Sequence, residues 1–228
     1  MSKDSEARLS ASLSEQEGFV APRYRSGQRS ADALLEAGRS LLEQISYEGL
    51  SVSDLCKKAH LTTGAFYRRF EGKDAFFLAL QRLALDDALR TQHALVEQFG
   101  DAQRAPATLE QASLVVVDSV RLWHLHHRGV LRASMQRRDH TSGGWQPFKE
   151  FARGFVQDIA AKMAAMSELR GRDDAAQRLT IGFQVVIGTM INSALNDPGP
   201  LRLDEAAMTE ALGLTLALYA SARAVRDQ

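Results

Sequence analysis

Cysteine is almost absent from this chain: Cys56 is the one example in 228 residues. That excludes an intrachain disulfide and fits a reducing cytoplasm. Proline is scarce too, at 5 residues, while apolar side chains recur at helical spacing. The combination predicts an all-α fold. There is no excess charge of either sign, since 28 Lys and Arg balance 28 Asp and Glu. The chain is therefore not coated with positive charge as a bulk nucleic-acid binder would be, and any DNA contact must come from a local patch. Residues 1–8 are polar with mixed charge and hold no apolar signal core. The longest uncharged run, 179–196, contains Thr, Gln, Asn and Ser and reads as a buried helix rather than a membrane span, so a soluble, cytoplasmic protein is expected. A Glu-x-x-His pair, a Gly-rich phosphate loop and a nucleophile–base constellation are all missing, which leaves an enzymatic reading without support.

Hydrophobic residues make up 45% of the sequence, enough for a substantial core. Residues 1–25 are rich in Ser, Glu, Gln and Arg and read as a flexible arm, either simply solvated or touching DNA through Arg23 and Arg25. A first helix is predicted over about 30–46, with Gly49 as its C-cap. Residues 51–70 then carry the most specific pattern in the chain. Ser51-Val-Ser-Asp54 opens a second helix with a capping box. His60-Leu61 makes a tight turn, and His is among the non-glycine residues that tolerate left-handed geometry. Thr62 caps a third helix over 63–70, whose Phe66 and Phe70 are four residues apart and point inward. Thr63, Tyr67 and Arg68 are left facing outward. Gly64 costs the helix about 1 kcal/mol, a cost explained either by close approach to DNA or by packing against the second helix. Arg69 reads as either a DNA contact or a surface or intramolecular ion pair. A long fourth helix starts at Lys73-Asp74 and runs to about residue 99.

Residues 29–78 resemble the DNA-binding domain of TetR-family transcriptional regulators. The resemblance rests on the stretch from Ala37 to Gly49, on Ser51-Val-Ser-Asp-Leu55, on Leu61-Thr-Thr-Gly-Ala-Phe-Tyr-Arg-Arg-Phe70 and on Glu71-Gly-Lys-Asp74. Cys56 stands where a small alanine is common in that family, and His60 where glycine is common. The resemblance implies a homodimer on double-stranded operator DNA, with half-sites about 34–36 Å apart. It implies DNA-contacting roles for Ser51, Thr62, Thr63, Gly64, Tyr67, Arg68 and Lys73, with Tyr67 and Lys73 on phosphate. It also implies a C-terminal domain that holds a small-molecule effector, most simply in a repressor released by that ligand. A ligand-independent DNA-bound adaptor or activator shares the same DNA motif and stands as the alternative.

Over residues 21–75 the charges nearly cancel, nine basic against seven acidic, so their distribution matters more than their sum. The predicted organisation is an arm at 1–25, a helix-turn-helix domain at 26–75, and a ligand-binding and dimerisation domain at 76–228. After residue 100 five helices are predicted, over 107–127, 129–140, 145–168, 173–196 and 204–225, giving about nine in all. Gly129 is read as a break and Asp204 as the last N-cap. Helices 173–196 and 204–225 are apolar nearly all round and are expected to pair with the same helices of a second subunit. A pocket for an apolar or aromatic ligand is expected among Trp123, His127, Phe148, Phe151, Phe155, Phe183 and Met190. Only His124 and His127 of the three nearby histidines share a helix face, with no acidic or Cys partner close in sequence, so neither a metal nor a cofactor is expected.

Overall fold

The computed structural model describes residues 13, 16–137 and 144–222. Among these it is all-α, with eight helices: α1 (Arg25–Leu42), α2 (Val52–Lys58), α3 (Thr63–Tyr67), α4 (Lys73–Gly100), α5 (Leu109–Gln136), α6 (Gln146–Ala164), α7 (Ala175–Asn196) and α8 (Ala206–Ser221). They form two compact units. The first comprises Met1–Asp87 with His127–Phe148, and the second Ala88–His126 with Lys149–Gln228. Helices α4 and α5 thus each contribute one end to each unit.

The first unit is built around aromatic rings. Phe66, Phe70, Phe76 and Phe77 have no exposed surface, and Leu34, Leu42 and Leu55 are equally buried. The Phe66 ring lies 5.4 Å from Phe70 and 5.7 Å from Phe76, in tilted arrangements that suit aromatic quadrupoles. Gly38 lets α1 approach this cluster, because a methyl group there would collide with the Phe76 ring.

Helix α1 starts and stops earlier than the 30–46 predicted, at Arg25 and Leu42. Gly49 is not its cap but lies in the following turn, with its N–H donating to the Ser46 hydroxyl. The stop is set from α5. Arg132 donates to the freed carbonyl of Leu42 at 2.6 Å, and Arg128 pairs with Glu43 at 2.9 Å. Gly129 makes this possible: a Cβ there would stand 2.6 Å from the Leu42 carbonyl carbon. The predicted break at Gly129 is therefore absent. Glycine serves a close backbone approach here, and the helices predicted at 107–127 and 129–140 are one, ending at Gln136. Residues 138–140 of that prediction lie outside the described residues.

The arm predicted at 1–25 is not free where it is described. Leu13 is fully buried, Phe19 is 8% exposed, and Phe19 forms an antiparallel bridge with Phe70. The rest of the arm, 1–12 with 14 and 15, lies outside the described residues.

In the second unit Val116, Val117, Ile159, Met163, Leu179, Phe183, Met190, Met208 and Leu216 form one apolar cluster. Gly182 lets α7 touch α8, since its Cβ would meet Leu216 Cδ1 at 2.5 Å. Buried Arg121 ties α5 to α8, donating to Thr209, Asp118 and the carbonyl of Leu203. The carboxyl of Asp118 is held below its ordinary pKa by its bonds to Arg121 and Thr209, which outweigh the larger single effect of burial. Helix α8 has Glu205, not Asp204, at its N-cap, because Asp204 is drawn to Arg202 at 3.2 Å. The end of the helix predicted at 223–225 is outside the described residues.

Gly129→Ala should lower stability by about 1–3 kcal/mol, because the added methyl meets backbone that cannot rotate away. Urea unfolding followed by circular dichroism reads the change, and a midpoint equal to that of the unchanged chain would show that α1 and α5 do not touch there.

Candidate nucleic-acid interface

Helix α2 opens as its capping pattern requires. The Ser51 hydroxyl accepts from the Asp54 N–H at 3.0 Å and donates to the Asp54 carboxylate at 2.5 Å. Leu55 and Cys56 face the core, while Lys57 and Lys58 are exposed. The Cys56 thiol is turned inward toward the carbonyl of Thr62, 3.5 Å away, and burial raises its pKa. The turn that follows places His60 at φ 54°, the left-handed geometry read from the sequence. Leu61 N–H then returns to the Cys56 carbonyl at 2.9 Å.

Helix α3 is short. It spans Thr63–Tyr67, with the Thr62 hydroxyl accepting from Ala65 N–H at 3.3 Å. The backbone stays wound as far as Phe70, whose N–H reaches the Phe66 carbonyl at 3.0 Å. Ala65, Phe66 and Phe70 are buried, while Thr62, Thr63, Gly64, Tyr67 and Arg68 are exposed. The Tyr67 ring is 58% exposed, with its edge against Phe66. The glycine at position 64 now has a clearer basis. Its nearest neighbours to an added Cβ are Arg68 and Thr62 side-chain atoms at 3.8 Å, so no contact with α2 requires glycine there. Arg69 folds back, its guanidinium filling the space where a Gly27 side chain would be. Arg68, Lys57 and Lys58 pair with no acid among the described residues, whereas Asp54 is committed to Ser51 and Glu36 to Arg39.

Lys73 and Ser51 are half-buried and flank this surface. Lys73 is heavily used inside the chain. Its ammonium donates to the carbonyls of Tyr47 at 3.1 Å and Glu48 at 3.5 Å and sits 4.4 Å from the centre of the Tyr47 ring. These contacts offset the unfavourable position of a cation at a helix N-terminus. The Tyr47 hydroxyl bonds Asp74, which also pairs with Arg137 at 3.0 Å, and the Arg137 guanidinium lies 4.3 Å from the Tyr47 ring centre. Burial, and then the bond to Asp74, push the Tyr47 phenol well above its ordinary pKa. None of this cluster was read from the sequence. Lys73-Asp74 marked the helix start, but nothing local pointed to Arg137.

The residues expected to line a pocket are divided between the units. Trp123, Phe151, Phe155, Phe183 and Met190 belong to the second, His127 and Phe148 to the first. Phe155, Phe183 and Met190 are core, and Phe151 is half-buried with its ring 6.0 Å from that of Phe155. Trp123 is half-buried with its edge on His124. In the first unit Phe148 stacks on Trp145 at 5.3 Å, and His127 bonds Asp87 at 2.9 Å.

Lys73→Ala should cost about 1–2 kcal/mol of stability by removing the carbonyl bonds and the cation over Tyr47. Thermal unfolding checks it, and an unshifted transition would show that Lys73 is not structural. The Tyr47 phenol adds a pH dependence. Its folded pKa is raised, so its stabilisation is complete below about pH 10, the unfolded value, and is lost as pH rises beyond it. Tyr47→Phe should flatten that alkaline fall in a denaturation series.

Residues 34–80 match the model of a family described as bacterial regulatory proteins, tetR family. No curated protein matches the chain. Among solved structures, the fold is similar to NalD, the secondary repressor of the MexAB-OprM multidrug efflux pump in Pseudomonas aeruginosa. That likeness has 21% identity and a TM-score of 0.55 over 85% of this chain and 96% of NalD. It is also similar to Salmonella enterica GusR, with 13% identity and a TM-score of 0.56 over 88% of this chain and 97% of GusR. The family match over residues 34–80 takes in the second half of α1, all of α2 and α3, and the start of α4, so this segment is similar to the tetR family of bacterial regulatory proteins.

Proposed function

We propose that the chain is a dimeric, ligand-released repressor whose α3 enters the major groove of operator DNA. The observation that carries this reading is the division of α3 into two faces. Ala65, Phe66 and Phe70 seat it, and Thr63, Gly64, Tyr67 and Arg68 are exposed together, with no side-chain hydrogen bond or ion pair among the described residues. An exposed tyrosine and an unpaired arginine beside an unfilled glycine suit phosphate contacts and a close approach of backbone to DNA. Thr62 and Thr63 add hydroxyls and N–H groups at the start of the helix, and Ser51 and Lys73 flank it.

Dimerisation takes its support from the outer faces of α7 and α8. Ile181 is 40% exposed, Val185 53%, Leu218 69% and Tyr219 38%. A shallow groove of about 430 Å³ on α7 is lined by Ile181, Gln184, Val185, Gly188, Thr189 and Asn192. The inner faces are already occupied: Gly213 lies against Leu114, and Leu179, Phe183 and Met190 lie in the core. Helix α7 is also long and apolar enough to cross a membrane. A second copy of the chain covers such an outer face economically. Repression, rather than activation, takes its support from NalD, a repressor with this fold. The effector is an apolar or aromatic small molecule held in the second unit beside Trp123 and Phe151, the half-buried members of the aromatic set. It must favour the DNA-released geometry by several kcal/mol to clear the operator.

The test is binding to duplex DNA selected from a randomised library by the purified chain. Gly64→Ala should leave thermal stability unchanged or slightly higher yet weaken binding at least tenfold. Tyr67→Phe should weaken binding several-fold with the salt slope unchanged, because the lost phenol carries no charge. If both variants bind like the original, α3 is not the reading element. Val185→Asp combined with Leu218→Asp should yield a folded monomer by analytical ultracentrifugation, with operator affinity reduced at least a hundredfold. A dimer that survives these charges would place the interface elsewhere.

A further inference from the structure

We propose that residues 20–29 form a second DNA-gripping element, holding phosphate beside the recognition helix through Arg23, Tyr24, Arg25 and Arg29; this rests on the reading of α3 above. The segment just before it is fixed to the end of α3. Phe19 bridges to Phe70 with ring centres 5.3 Å apart, Val20 N–H donates to the Arg69 carbonyl at 2.8 Å, and Glu71 N–H donates to the Gly18 carbonyl at 3.0 Å. Gly18 turns this strap at φ 73°, and a Cβ there would stand 2.6 Å from that of Ala75. Farther along, the Arg69 guanidinium is wedged against Gly27, 3.1 Å from that Cβ position to its central carbon. The strap and the start of α1 are therefore registered to α3 at two separate places.

What the strap presents is unspent positive charge. Arg23, Arg25 and Arg29 are exposed and make no ion pair or side-chain hydrogen bond among the described residues. Arg39, farther along the same helix, is by contrast engaged by both Glu36 and Glu43. Arg25 and Arg29 lie one helical turn apart, about 5–6 Å between Cβ atoms. Within the first unit, the described large apolar side chains left exposed are Val20 at 55%, Tyr24 at 79% and Tyr67 at 58%. All three stand on the strap or on α3. An exposed phenol among unpaired guanidinium groups is the donor set that phosphate oxygens take up. The occupant is thus the sugar–phosphate backbone alongside the groove that α3 reads.

The test compares the original chain with R23A/R25A/R29A on the same selected duplex, over a series of salt concentrations. None of the three arginines supports the fold, so the melting temperature should not move. The slope of log affinity against log salt should fall in magnitude by about 2–3, close to 0.9 for each lost phosphate contact. Affinity at moderate salt should fall at least tenfold, and the preferred half-site sequence should stay the same. A control variant, K149A/R153A/R170A, removes as much exposed charge from the second unit and should leave the slope unchanged. An unaltered slope in R23A/R25A/R29A overturns this proposal while leaving the α3 reading intact, and so does an equal fall in the control. A changed preference for flanking bases overturns the phosphate assignment. Failure of the original chain to select any duplex removes the α3 reading itself.

Discussion

A five-residue helix cannot hold itself in water. Nucleating a helical turn costs more than its single hydrogen bond returns, and isolated helices need about 12–15 residues to be even marginal. Helix α3 exists because Phe66 and Phe70 are buried against Phe19 and Phe76. Burying two such rings is worth about 1.5–3 kcal/mol each, more than α3 can supply by its own propensity, especially with Gly64 in its first turn. The direction of Tyr67 and Arg68 is thus set by the inward neighbours of each, not by the short helix that carries them.

The same aromatic cluster links features that are far apart in sequence. Phe19 brings the strap onto it, Phe76 opens α4 from it, and Phe77 carries the Tyr47 ring 4.8 Å away. Tyr47 in turn sits under Lys73 and Arg137. A cation that looks free for DNA in the sequence is therefore partly a structural cation. Lys73 is committed to bonds inside the chain, whereas Gly64 and Tyr67 lie on the exposed face of α3.

What could be read from the sequence was what depends on near neighbours. The Ser51 cap, the left-handed His60, the Thr62 cap and the inward Phe66 and Phe70 all follow from spacings of four residues or fewer, and the structure has each of them. What escaped reading depends on distant partners. Gly129 looked like a helix breaker because nothing local shows that Leu42 lies against it. The Arg132 bond to Leu42 spans 90 residues and the Arg137 pair with Asp74 spans 63. The strap looked like a flexible arm because its few apolar residues, among them Leu13, Phe19 and Val20, show no periodicity to announce a partner. The aromatic residues of the C-terminal half were the least legible, since a buried phenylalanine in a core and one lining a ligand site obey the same spacing.

The first unit is discontinuous in the chain, since Met1–Asp87 is joined in it by His127–Phe148. A cut near residue 75, where the sequence pattern changes, would strip away Phe76 and Phe77 as well as Arg128, Gly129, Arg132 and Arg137. Those residues close the core, terminate α1 and brace the start of α4. The segment that carries α3 is therefore not a cassette. Grafting it onto another scaffold requires carrying a stretch of α5 with it, and a chimera designed on linear order alone would inherit the exposed face of α3 without the support that aims it.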